Sequence, residues 1–178
     1  MTVQALRERR VETLEHLLAA HGREIQGVAY LILRDRALAE DVTIETLLTA
    51  FERGGSIRDD DALRGWLLRV ATNKALSVRR ASGRVVDLSY APEARARGDL
   101  AGEAADRVAL LGAVATLPIQ MRAAIVLRYY ADLPVEGVAA ALGKSPNTIK
   151  AQLQTALARL RVSIGEPAPT TTPEARHA

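Results

Sequence analysis

Apolar residues recur at helical spacing from Val11 to Arg80 and again from Val108 to Ile164, a period that admits little besides helices packed through one face. In the first stretch it breaks near Arg34 to Ala37 and at Gly54-Gly55, which predicts three or four helices in one bundle. In the second, Pro118, Pro134 and Pro146 stand where the period resumes, each fitting the first residue of a helix, where a missing N–H does no harm. Residues 82–106 lose the period. They hold Gly83, Pro92, Gly98 and Gly102 and mix Arg95 and Arg97 with Asp87, Glu93 and Asp99, the composition of a flexible linker. Residues 165–178 carry three prolines and three consecutive threonines and are expected to be disordered. The chain thus reads as all-α, with one small helical domain at 11–81, a linker at 82–106, a second domain at 107–164 and a tail, each domain with a modest core of its own.

Composition removes several function classes. With 178 residues, aromatics at 3% and alanine, leucine and arginine dominant, the helices must pack through small and aliphatic side chains. The absence of cysteine excludes disulfides, thiolate metal sites and cysteine nucleophiles, and fits a reducing compartment. No apolar run approaches the roughly 20 residues of a membrane span, and Met1 to Arg10 is charged instead of forming a signal peptide's apolar core, so a cytoplasmic protein without membrane insertion is expected. There is no Gly-rich phosphate loop, nucleophile elbow or paired carboxylate in a loop, so neither an enzyme nor a cofactor is expected. His16 and His21 lie near Glu12, Glu15 and Glu24, but a spacing of five places the rings poorly on one helical face, and no metal site is expected.

Charge is unevenly distributed. Residues 62–86 hold Arg64, Arg69, Lys74, Arg79, Arg80 and Arg84 without an acid, and residues 137–165 hold Lys144, Lys150, Arg159 and Arg161 without an acid. These windows carry +10 in a chain of net charge +3, so the remaining 124 residues carry −7. Two basic surfaces on an otherwise acidic protein suit a polyanion such as nucleic acid, although an arginine-rich helix is also often a merely solvated face.

Leu133 to Arg161 has the grammar of a helix-turn-helix. Pro134 opens a helix buried through Val135, Val138, Ala139 and Leu142, and Gly143 supplies the left-handed residue that ends it. Ser145 then caps a second helix with Pro146 at its first position and Ile149, Leu153, Ala156, Leu157 and Leu160 inward. That leaves Asn147, Thr148, Lys150, Ala151 and Gln154 outward, with Gln152 a further candidate, where a recognition helix reaches into a major groove. On spacing alone an ordinary helical hairpin fits equally.

In the first domain, the helix Leu38 to Glu52 has two faces. Ala39, Val42, Thr46, Leu47 and Ala50 suit a core, while Asp41, Ile44, Glu45, Leu48 and Glu52 point away, an acidic and apolar mixture suited to docking on a basic partner helix. In the next helix Leu63, Leu67, Ala71 and Val78 form an inner stripe, with Trp66 read as core. Arg69, Asn73, Ser77 and Arg80 share the opposite face, and the Gly54 to Leu63 loop beside them offers room for a flipped nucleotide.

The run Leu117-Pro118-Ile119-Gln120-Met121-Arg122, then Val126 to Tyr130, Leu133 to Gly143, Asn147 to Lys150 and Arg159 to Arg161, resembles region 4 of the sigma-70 family, in its small extracytoplasmic-function group. Ala39-Glu40-Asp41-Val42-Thr43 with Glu45-Thr46 and Ala50-Phe51 is similar to sigma region 2.2, and Arg64 to Arg80 to regions 2.3 and 2.4. Ile44, Leu47, Thr49, Ser77, Gly137, Gln152 and Thr155 depart from residues frequent in the family. The resemblance implies a promoter-recognition subunit with no catalysis of its own. It implies docking on the clamp coiled coil of core RNA polymerase by Asp41, Ile44, Glu45 and Leu48. Minus-10 contacts fall to Arg69, Asn73, Ser77, Arg79 and Arg80, and minus-35 contacts to Ser145, Asn147, Thr148, Lys150, Ala151 and Gln154. Promoter DNA, the polymerase flap and an anti-sigma factor are the further partners implied. A free-standing helix-turn-helix regulator and a degenerate sigma-like decoy remain as alternatives.

Overall fold

The computed structural model describes residues 11–53, 57, 60–81 and 101–164, and every regular element among them is helical. Helix α1 (Val11–Leu17) runs through a wide π turn, Leu18–Gly22, into α2 (Arg23–Leu33), with helical backbone on both sides of the turn. Arg34 ends α2 in the left-handed conformation at φ 60°, its N–H donating to the Tyr30 carbonyl at 2.7 Å. The chain turns at once: the Asp35 carboxylate accepts the Leu38 N–H at 3.0 Å and helps start α3 (Arg36–Arg53). Helix α4 (Asp60–Ala81) completes the first unit. Its first turn falls within the stretch read as a nucleotide-holding loop; the rest of that loop, apart from the buried Ile57, lies outside the described residues.

Helices α2, α3 and α4 pack on one another around Leu17, Ile25, Val28, Ile32, Val42, Leu47, Leu63 and Leu67, and the expected inward residues of α3 are all buried. Thr43 and Thr46 join them without an orphan hydroxyl, since each donates to the carbonyl one turn back, Ala39 and Val42, at 2.7 Å. Trp66 and Val78 are partly buried against this core.

The second unit comprises α5 (Ala101–Thr116), α6 (Ile119–Ile125) running into a π turn at Val126–Tyr130, α7 (Val135–Leu142) and α8 (Pro146–Ser163). Helix α5 begins inside the stretch read as linker, because Ala101, Glu103, Ala104 and Ala105 favour helix enough to carry Gly102. Of the three prolines, Pro146 is the first helical residue as expected. Pro118 and Pro134 stand one place earlier, as extended N-caps with ψ of 139° and 160°. The linker between Ala81 and Ala101 and the tail lie outside the described residues.

The two helical units expected from the sequence are present, and their cores meet. Buried apolar residues of both units form one continuous cluster, with α7 lying against α4 and α6 and its π turn against α2. Helix α4 makes this possible: beside the expected row Leu63, Leu67 and Ala71, it buries a second row, Leu68, Thr72 and Leu76, one residue further round. Together the rows give α4 a buried face wide enough for neighbours on two sides.

Candidate nucleic-acid and docking faces

The outward side of α3 is as the sequence implies. Asp41, Ile44, Glu45, Leu48 and Glu52 are all exposed, and two aliphatic side chains stand in water there, Ile44 at 58% and Leu48 at 44% of their full exposure. An isoleucine and a leucine one turn apart form a small apolar ridge, rimmed by carboxylates, in the manner of an interface core with a polar margin. The Glu45 carboxylate accepts the Lys74 ammonium of α4 at 2.9 Å, an exposed pair that fixes the rim more than it stabilises the fold.

On α4, Arg69, Asn73, Ser77 and Arg80 are exposed together, forming one polar stripe. The basic surface is narrower than the sequence window. Arg64 turns inward: its Nε and Nη2 donate to the Glu24 carboxylate at 3.1 and 2.5 Å, and Nη2 also reaches the Ala131 carbonyl at 2.5 Å. Lys74 is engaged by Glu45. Arg79, placed with the minus-10 residues by the resemblance, is half-buried and close enough to Arg122 to disfavour that residue's charge. Arg84 lies outside the described residues.

In the second unit, α7 ends at Gly143 with φ 63°, and a three-residue turn leads to α8. Ser145 is the cap: its Oγ accepts the Thr148 N–H at 3.1 Å and lies 2.8 Å from Thr148 Oγ1. Both hydroxyls are thus committed to the helix start, and Ser145→Ala is expected to destabilise the unit by about 1 kcal/mol, read as a lower urea midpoint with unchanged helicity. Asn147, Thr148, Lys150, Ala151 and Gln154 are exposed on the first turns of α8, while Ile149, Leu153, Ala156 and Leu160 are buried. Gln152 does not belong to the outer face. It is half-buried with its Oε1 out of contact with water, because its position one turn before Ala156 rotates it toward the core.

Arg122 was legible only as a letter in a motif. Here it is 8% exposed. Its Nη1 donates to the Ile32 carbonyl of α2 at 2.9 Å, and its Nη2 to the carbonyls of Leu117, at 3.2 Å, and Ala115. Burial first, then the guanidiniums of Arg79 and Arg34, pull its pKa down to about 10, so it stays charged at neutral pH.

A helix-turn-helix whose second helix leaves a polar face exposed, joined to a bundle with a polar stripe and a separate acidic-apolar ridge, is an all-helical architecture of the kind that DNA-binding proteins use. The family models for sigma-70 region 2 and sigma-70 region 4 match residues 17–85 and 107–160, and the chain belongs to the sigma-70 family, in its extracytoplasmic-function group. The ECF RNA polymerase sigma factor SigL of Mycobacterium tuberculosis is 34% identical over 152 residues, covering 82% of this chain and 85% of that protein. The RNA polymerase sigma-E factor of Streptomyces antibioticus is 34% identical over 131 residues, 73% of this chain and 72% of its own. Among solved structures, the sigma factor RpoE of Bartonella quintana, in complex with the anti-sigma factor NepR, shares the fold with a TM-score of 0.71 at 22% identity, covering 87% of this chain and 98% of that one. No helix among the described residues is long and apolar enough to cross a membrane.

Proposed function

We propose that this chain works as a sigma factor whose three exposed faces divide the labour of promoter recognition. Asp41, Ile44, Glu45 and Leu48 on α3 dock on the clamp coiled coil of core RNA polymerase. Arg69, Asn73, Ser77 and Arg80 on α4, with Arg79 beside them, meet the minus-10 element. Asn147, Thr148, Lys150, Ala151 and Gln154 on α8 meet the minus-35 element, with Ser145 fixing the helix start. The domains responsible are 11–81 and 107–164. The protein acts in the cytoplasm, catalyses nothing itself, also contacts the polymerase flap, and is held in check by an anti-sigma factor, as RpoE is bound by NepR. The observation that carries this reading is the exposed Ile44–Leu48 ridge between carboxylates, an apolar pair with a polar rim that a free-standing regulator leaves unexplained.

Transcription with core polymerase over a library of minus-35 sequences at fixed salt tests it. Lys150, aimed at phosphate, contributes without reading sequence, so Lys150→Ala is expected to lower initiation at every variant alike. An amide on a base edge discriminates by roughly 1 to 3 kcal/mol, so Gln154→Ala should relax preference at one base pair. If neither substitution changes strength or preference, α8 does not read the upstream element and the decoy reading gains.

A further inference from the structure

Buried polar groups are nearly always paired, and a buried charge keeps its opposite nearby. Around Arg122 both habits fail together. This side chain, 8% exposed, gives Nη1 and Nη2 to the carbonyls of Ile32, Leu117 and Ala115, yet its Nε–H, shut off from water, meets no acceptor. Arg34, two residues beyond that Ile32 carbonyl, repeats the fault: its Nη1 is also closed to water with nothing to donate to. The Arg34 guanidinium lies over the Tyr30 ring, Cζ 5.5 Å from the centroid, so its flat face is engaged and its N–H edge is what lacks a partner.

The charges gathered here have one sign. Three helices meet, and each brings one arginine: Arg34 at the end of α2, Arg79 in the last turn of α4 and Arg122 in α6. Arg79 and Arg34 both weigh against the positive charge of Arg122, and no ion pair among the described residues involves Arg122 or Arg34. Asp35, next to Arg34 in the chain, is turned to α3, where it accepts the Leu38 N–H. The carbonyls that hold Arg122 are dipoles and leave its full charge unneutralised. Arg34 and Arg79 are half-buried, so the cluster runs from the enclosed Nε of Arg122 out to water.

A compact anion with oxygens pointing several ways would satisfy the stranded N–H groups and the clustered charge at once. A carboxylate offers a single charge and oxygens in one plane. Phosphate offers roughly two negative charges near neutral pH and a tetrahedron of acceptors, and guanidiniums bind it through paired N–H donors. Burial of Arg122 sets the size of the ligand. The long side chains of Arg34 and Arg79 can swing to admit a free phosphate, whereas a phosphate flanked by its sugars in a DNA backbone is too bulky to reach that depth.

We infer that Arg34, Arg79 and Arg122 form a binding site for a small free phosphate anion, whether inorganic phosphate, diphosphate or the phosphate end of a nucleotide, where α2, α4 and α6 meet. The site stands on these side chains and does not depend on the sigma reading. Inorganic phosphate and diphosphate, titrated into the isotope-labelled full chain at constant ionic strength, are expected to move the Nε–Hε resonance of Arg122 saturably. The melting midpoint should climb with the logarithm of diphosphate concentration once that exceeds the dissociation constant. Arg34→Gly suits the left-handed φ of 60° and so keeps the end of α2, and Arg79→Gln keeps a good helix former. Each should weaken diphosphate binding by on the order of tenfold, the loss of one charge-assisted contact. Arg159→Ala, which removes an exposed arginine of α8, should bind diphosphate like the unsubstituted chain. Short duplex DNA carries the same phosphates locked in a backbone and should leave the Arg122 resonance in place. Equal shifts with sodium chloride at the same ionic strength would reduce the effect to screening and overturn the site, as would undiminished binding in both Arg34→Gly and Arg79→Gln. Movement with duplex DNA and none with free phosphate would make the cluster a DNA contact and overturn it too.

Discussion

Asp41→Arg is expected to weaken binding to core RNA polymerase by on the order of 100-fold, about 2.7 kcal/mol, because it sets a like charge against a basic partner helix. The site is exposed on a helix whose opposite side is packed, so circular dichroism and the unfolding midpoint should not move. Ile44 and Asp41 should fail in different ways. A carboxylate at the rim speeds encounter and is screened by salt, so the Asp41→Arg defect should shrink as ionic strength rises and appear mainly in the association rate. On the proposed docking face Ile44 and Leu48 would lose water only in the complex, so Ile44→Ala should raise the dissociation rate and keep its defect at high salt. Surface-immobilised core polymerase and a salt series measure both. Unchanged core affinity in Asp41→Arg with the fold intact would mean that the docking face lies elsewhere.

The same ridge shows what the sequence makes legible. One helical period assigns Ala39, Val42, Thr46, Leu47 and Ala50 inward and Asp41, Ile44, Glu45 and Leu48 outward, and the packing follows it residue by residue. The left-handed Gly143 and the Ser145 cap were equally readable, because both are local: a turn of three residues decides them. What escaped is non-local. Periodicity marks a row of α4 as inner but cannot show that the neighbouring row Leu68, Thr72 and Leu76 is also buried. Arg64 counted as part of a basic window until Glu24, forty residues away, claimed it. Gly27 is a partial case: a glycine in an otherwise regular helix points to a close approach, although nothing in the sequence names Tyr130 as the group approaching. Gln152 went wrong by a rotation of one residue about the helix axis, within the error of any assignment from period alone.

Arg122→Ala is expected to lower stability by about 3 kcal/mol and the melting temperature by roughly 10 °C. Two opposing effects meet at this side chain. Its pKa, lowered to about 10, records burial and then repulsion from Arg79 and Arg34 that together cost the charged form at most about 3 kcal/mol. Its Nη1 and Nη2 donate to the carbonyls of Ile32, Ala115 and Leu117, and hydrogen bonds from a charged donor contribute about 1.5 to 3 kcal/mol each. The bonds win, even with Nε left without an acceptor. Arg122→Met separates the two: it keeps much of the stem's volume and removes the repulsion, yet strands three carbonyls, so it should still destabilise, by about 2 kcal/mol. The sign of the pH dependence follows from the folded pKa lying below the unfolded one. Above about pH 10 the unfolded chain keeps a proton that the folded chain has lost, so this group's contribution to stability rises with pH there and is flat below it. Urea unfolding of the three proteins at neutral pH and again near pH 9 should therefore give the same differences. If Arg122→Met proves as stable as the unsubstituted chain, desolvation outweighs the hydrogen bonds, and the arginine is kept for the contact it makes across the two units and not for the stability of either.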